Sequence, residues 1–190
     1  MKNLVLVAEA VCEAKDVRLD ELDARFRKAT MNMALTTLCA RKVLERIPDI
    51  PKEQISLLVG THFGEIESTL EFLIGVHETH TPRPLLFQNS LHNSTLGFAT
   101  IQLGLTGPAM TVSSDRETVP AVLELADTLS EITPAVLVCI VDVIPDALRE
   151  EYLAQHPFLE RSLNKARCNA YLRPADVQKF GLQPLAGGPL

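Results

Sequence analysis

Apolar and polar positions alternate along the chain in short blocks, and the block lengths predict strands and helices in turn. Residues 4–11 form a brief apolar run, a first strand. Across 20–47, Phe26, Ala29, Met33, Ala40, Leu44 and Ile47 recur at helical spacing, and Met31, Leu35 and Leu38 widen the stripe. Pro48 and Pro51 end this helix. Residues 55–60 are a buried strand, closed by a turn at Thr61, His62, Phe63 and Gly64. A second helix covers 65–77, with Ile66, Leu70, Leu73, Ile74 and His77 on one face. After a polar loop at 79–83, a third helix is expected over 90–103, stopped by Gly104.

The second part of the chain repeats the alternation. Residues 110–114 predict a short strand, and Asp115 is placed to cap a helix running to Ser130, with Pro120 in its first turn. Residues 135–143 are apolar on both faces, as a strand inside a parallel sheet must be. Residues 147–163 read as helical or irregular, and 166–172 as a last strand. The polar stretch 162–164 before it fits a complete five-stranded sheet. This is an α/β layered domain. The expected organisation is one domain over 1–175 and a flexible C-terminal tail over 176–190, where Pro and Gly accumulate.

Composition narrows the function. The net charge of -6 argues against a nucleic-acid binder, which needs a basic stripe, and against an anionic membrane surface. The apolar run at the N-terminus is cut by Glu9, too short for a signal peptide. No run approaches a membrane span, so a cytoplasmic protein is expected. Cys12, Cys39, Cys139 and Cys168 show neither CxxC nor zinc-ligand spacing and read as buried thiols. No metal or cofactor is expected.

Two stretches go beyond fold class. One is Leu86-Phe87-Gln88-Asn89-Ser90-Leu91-His92-Asn93-Ser94-Thr95-Leu96-Gly97; the other is Gly104-Leu105-Thr106-Gly107-Pro108-Ala109-Met110-Thr111-Val112-Ser113-Ser114. With the turn at 60–64, they resemble the β-ketoacyl synthases of fatty-acid and polyketide synthesis, over roughly residues 20–172. The resemblance implies a single half of the thiolase fold, a mixed sheet of about five strands with helices packed on it. It also implies a nucleophilic cysteine after the third strand, in the family's Ser-Ser/Thr-Ala-Cys. Here the residues are Ser113-Ser114-Asp115-Arg116, so Arg116 falls on the cysteine position. A guanidinium stays protonated and cannot attack a thioester. The family's catalytic histidines lie in its second half, beyond residue 190, and the five histidines here match none of them; His92, in the matched helix, reads as structural or interfacial.

The resemblance therefore implies a non-catalytic, chain-length-factor-like subunit and not an enzyme by itself. Its partner would be an active full-length ketosynthase in type II polyketide or fatty-acid-type synthesis, with aryl polyenes as one product class. Acyl carrier protein would be met indirectly. In the family the third strand pairs across a two-fold, and the segment before the matched helix reaches towards the partner's acyl tunnel. On this chain that gives Leu86, Phe87, Ser90, Asn93, Met110, Val112 and Ser114 as interface or gate residues. The alternatives are a split ketosynthase completed by another chain, and a homodimeric acyl-binding scaffold.

Two expectations concern the helix after Arg116. At about 100° per residue, Glu117, Glu124, Thr128 and Glu131 share one side, with Asp127 beside them. That acidic stripe suits a helix exposed where a second half would pack, and a chain that is a finished unit. Arg116 itself is expected to pair with carboxylates or to fill the emptied pocket.

Overall fold

The structure, a computed structural model, describes residues 4–186. Five strands form one mixed sheet: β1 (Val5–Glu13), β2 (Ile55–Gly60), β3 (Ala109–Val112), β4 (Ala135–Asp142) and β5 (Lys165–Leu172). Their order is β1-β5-β4-β2-β3. β2 runs parallel to both β3 and β4, whereas β5 is antiparallel to β1 and β4. β2 and β4 are buried along their whole length, as their unbroken apolar runs require. β3 lies at one edge of the sheet.

The two faces of the sheet differ. One packs on α1 (Met31–Leu44) and α4 (Ser94–Leu103), with Leu35, Val43, Leu57, Leu137 and Ala170 in a broad core. The other is covered by α5 (Thr118–Leu129), whose Val122, Ala126 and Leu129 meet Leu58, Val136, Val138 and Tyr171. Glu117, Glu124, Thr128 and Glu131 are exposed on the outer side, so the acidic stripe faces away from the sheet. Gly60 allows this close approach: a Cβ there would lie 2.5 Å from Ile140 Cδ1 and 2.9 Å from Val122 Cγ2. All four cysteines are buried and unbridged. The Cys139 thiol is held well above its usual pKa by its hydrogen bond with Cys168 and by burial.

Three boundaries depart from the sequence expectation. The long helix begins at Met31 and not at residue 20, because Thr30 caps it, its Oγ1 accepting from Met33 N at 3.2 Å. Upstream, charged and exposed residues give no stripe to bury, and the chain forms short 3-10 turns, one capped by Asp23. The helix expected over 90–103 begins at Ser94 as α4, and a further short helix, α3 (Pro84–Asn89), precedes it, with α2 (Ile66–His77) before both. Ser90 closes α3, its hydroxyl donating to Phe87 O at 2.8 Å.

The tail expected to be flexible from 176 starts instead as α7 (Pro174–Phe180), following α6 (Arg149–Gln155) and β5. Pro174 fixes its first turn, Arg173 Nε bonds Asp176 Oδ2 at 2.6 Å, and Val177 is buried against the core. Gly181, at φ 64, ends it in the left-handed region, and Leu182 still packs on the core. Residues 187–190 of that expected tail lie outside the described residues.

Candidate functional site

The Arg116 region is built by a short, tense connection. β3 ends at Val112, and a 3-10 turn, Asp115–Glu117, leads into α5. Asp115 does not cap the helix: its side chain makes no cap bond, and its backbone sits at φ 33, a costly position for a residue with a Cβ. Its carboxylate lies 3.4 Å from His156 Nδ1 instead. Thr118 takes over the local bonding, its buried hydroxyl accepting from Ser114 N at 2.9 Å. Arg116 thus precedes α5 and escapes part of the penalty that a helix N-terminus imposes on a cation.

Arg116 is exposed at the mouth of a cavity of about 430 Å³. Its guanidinium carbon lies 5.4 Å from the centre of the Phe158 ring, a cation–π geometry. The expected carboxylate pairing is not found: among the described residues Arg116 has no ion-pair partner, and its flanking Asp115 turns to His156. The alternative expectation, that it occupies the pocket, is closer to its observed place on the cavity wall.

Behind the cavity lies a buried pair that the sequence reading did not single out. His62 Nδ1 is 2.6 Å from Asp142 Oδ2, with the two side chains 5% and 0% exposed. Asp142 Oδ1 also accepts from Thr61 Oγ1 at 2.9 Å, His62 N at 2.7 Å and Phe63 N at 3.2 Å. A buried carboxylate with this many donors is compensated for its lost hydration. The pair locks the turn after β2 onto the end of β4. With Nδ1 engaged on Asp142, Nε2 is the remaining ring nitrogen of His62, on the wall of the cavity. The visible signal was an acid closing an otherwise apolar strand.

The expected interface residues lie on other elements: Leu86 and Phe87 on α3, Ser90 and Asn93 between α3 and α4, Met110 and Val112 on β3, and Ser114 just after it. Phe87 is 54% exposed on α3 and packs its inner face on Phe72, ring centres 5.5 Å apart. Met110 is 46% exposed on β3. Leu86 and Val112 are half-buried, while Asn93 and Ser114 are exposed. Ser90 is half-buried, and its hydroxyl is spent on the α3 terminus. Leu73, Ile74, Leu85, Leu91 and Ile101 expose further apolar surface on α2, α3, the turn after it and α4. His92 is exposed, with its ring against Gly64.

A second buried acid supports this side from below. Glu65 accepts hydrogen bonds from Thr30 Oγ1, at 2.9 Å, and from Thr95 Oγ1. Burial pushes its carboxyl up to about 7 despite these donors. Among the described residues no group of three or more His, Cys, Asp or Glu could hold a metal ion, and no helix is long and apolar enough to cross a membrane.

The fold and these geometries have counterparts in known proteins. No curated protein matches the chain. Among solved structures, one is a ketosynthase (ApeO) in complex with its chain length factor (ApeC) from Xenorhabdus doucetiae, with TM-score 0.72 and 17% identity, covering 90% of this chain and 79% of that one. The ishigamide ketosynthase/chain length factor matches with TM-score 0.71 and 14% identity, over 91% of this chain and 63% of that one. The AntDE:AntF structure, a type II polyketide acyl carrier protein in complex with its ketosynthase bound to the hexaketide, gives TM-score 0.75 and 11% identity, over 95% and 65%. The chain thus spans less than two thirds of the last two. At these identities the likeness is one of fold, a thiolase-like half. Residues 27–171 match the family described as beta-ketoacyl synthase, N-terminal domain, and the chain belongs to that family.

Proposed function

We propose that this chain is a non-catalytic subunit of the chain-length-factor kind, pairing with an active ketosynthase in polyketide or fatty-acid-type synthesis. The observation that carries this reading is Arg116. It stands where the family's resemblance calls for a nucleophilic cysteine, and its guanidinium lies over Phe158 at a cavity mouth. The turn that should present a thiolate presents a permanent cation, which has no nucleophilic form at usable pH.

The β3 edge supplies the second support. An edge strand carries unpaired backbone donors and acceptors and is a template for pairing. Met110 on that strand exposes apolar surface, as do Phe87 and Leu85 on α3 and Leu91 in the turn after it, the composition expected at the centre of a protein interface. Leu86 and Ser90, both half-buried, are the proposed gate on the partner's acyl tunnel, with Asn93, Val112 and Ser114 along the same proposed interface. Solved neighbours that contain ketosynthase and chain length factor together support the pairing, and one with an acyl carrier protein supports an indirect encounter with that carrier. Aryl polyenes are the product class proposed.

Co-expression with a full-length, active ketosynthase from the same organism tests the reading. The expected result is one complex on size exclusion, and longer products from a complex carrying Leu86→Ala or Ser90→Ala. Separate elution of the two chains would refute the pairing, and unchanged product length in both variants would refute the gate. A split ketosynthase completed by another chain is disfavoured by Arg116, and it predicts condensation only when a partner brings its own cysteine.

A further inference from the structure

We propose that the cavity beside Arg116 is a binding site for a small organic oxyanion, a carboxylate or phosphate carried on an apolar body. The site is independent of any pairing at the β3 edge.

Four cations line this one cavity: Arg116 before α5, Arg161 in the turns before β5, and Lys165 and Arg167 on β5. They come from separate stretches of a chain whose net charge is -6, so composition does not explain their meeting. Lys165 and Arg167 are two apart on a strand and therefore share a face. No acidic residue lines the cavity. Among the described residues none of the four cations forms an ion pair. Lys165 has Glu13 of β1 in its wider field, and Arg116 is flanked in sequence by Glu117 and by Asp115, whose carboxylate faces His156. The buried carboxylate of Asp142 is taken up by His62 and the turn after β2.

Like charges held in a concave, partly apolar site repel one another and focus a positive potential. An oxyanion relieves that repulsion, and guanidinium forks are matched to carboxylate and phosphate oxygens. The remaining wall carries apolar surface from Phe158, Leu159, Ile140 and Val119, beside the polar His62 and Ser162. A bare inorganic ion would leave that wall wet, whereas an oxyanion on a hydrocarbon or aryl body would cover it. The volume of about 430 Å³ lies in the range of small-molecule sites and is far too small for a nucleic-acid track. The cation–π contact with Phe158 favours an orientation of Arg116 along the cavity wall, which lessens the entropy lost on binding.

The test is calorimetric titration of the full chain with hexyl phosphate, hexanoate, hexanol and inorganic phosphate. The expected result is saturable binding of at least one of the two anionic amphiphiles, with hexanol and inorganic phosphate weaker by about tenfold or more. The preferred amphiphile identifies the oxyanion. Arg116→Ala/Arg161→Ala, at two exposed positions, should weaken that binding by about tenfold or more. Nuclear magnetic resonance shifts on binding should fall at residues 114–119 and 158–167. If the double variant does not fold, Arg167→Gln, also at an exposed position, carries the same expectation. Absence of saturable binding, equal binding of hexanol, or unchanged affinity in the folded variants would overturn the proposal.

Discussion

The Arg116 cavity and the β3 edge are both surface features, yet they are built in opposite ways. The cavity is polar and positive, and a buried scaffold of His62 and Asp142 fixes it from behind. The edge is apolar and open, with Phe87 and Met110 about half exposed and no polar anchor among its expected contact residues beyond Ser90, Asn93 and Ser114. A site for a small ligand needs groups held in place before the ligand arrives. A protein interface needs apolar area that a partner then dries. On the two proposals above, the regions would therefore take different partners.

Substitutions separate the two regions, beginning with the largest effect. Phe87→Asp/Met110→Asp should weaken the complex with a ketosynthase about 1000-fold, near 4 kcal/mol, since two central apolar anchors would carry charge into a dry interface. Circular dichroism of the isolated chain should stay unchanged, because both side chains are exposed. A folded double variant that still binds normally would remove the edge from the interface. Asp142→Ala should cost about 3 kcal/mol of stability in denaturant titration, because it orphans His62 and the donors of the turn after β2. Arg116→Ala, a few ångströms from the same cavity, should change stability by about 0.5 kcal/mol or less.

Glu65 gives the edge side its own pH dependence. Its folded pKa of about 7 lies above the ordinary value of 4.5, so between these the folded chain binds a proton that the unfolded chain lacks. Stability should therefore fall as pH rises from about 4.5 through 7, by about 3 kcal/mol once the fall is complete. Glu65→Gln should remove most of that fall: more stable than wild type at pH 8, and similar to it at pH 5, in urea titrations at the two values. A difference between variant and wild type that does not change with pH would contradict this. Leu86→Ala should cost the isolated chain under about 1 kcal/mol from a half-buried site while lengthening the product of the complex.

Much of this fold was legible in the sequence because its strands are compact apolar blocks. All five lie within a few residues of where the pattern placed them, and residues 55–60 coincide with β2. What failed was local. Residues 20–30 carry helix-spaced Phe26 and Ala29, but among so many exposed charges only Phe26 is buried, and Thr30 offers the better cap. Ser90 closes a short helix, α3, that the pattern did not predict, and the next helix starts only after Asn93. Val177 and Phe180 alone did not announce α7, whose stability comes from docking on the core.

The site was legible in part. The position of Arg116 followed from Ser113 and Ser114 after the glycine turn. Its surroundings did not, because Phe158, Arg161 and Arg167 reach it from some 40 residues downstream through the fold. The spacing of Lys165 and Arg167 was a signal of one basic strand face, but nothing in the sequence placed that face beside Arg116.

Intact mass spectrometry of the co-expressed complex, after incubation with an acyl thioester of its acyl carrier protein, tests the central claim most directly. The account predicts a complex of the two chains in which the acyl group adds to the ketosynthase and the mass of this chain does not change. An acyl adduct on this chain, or the absence of any complex, would contradict it.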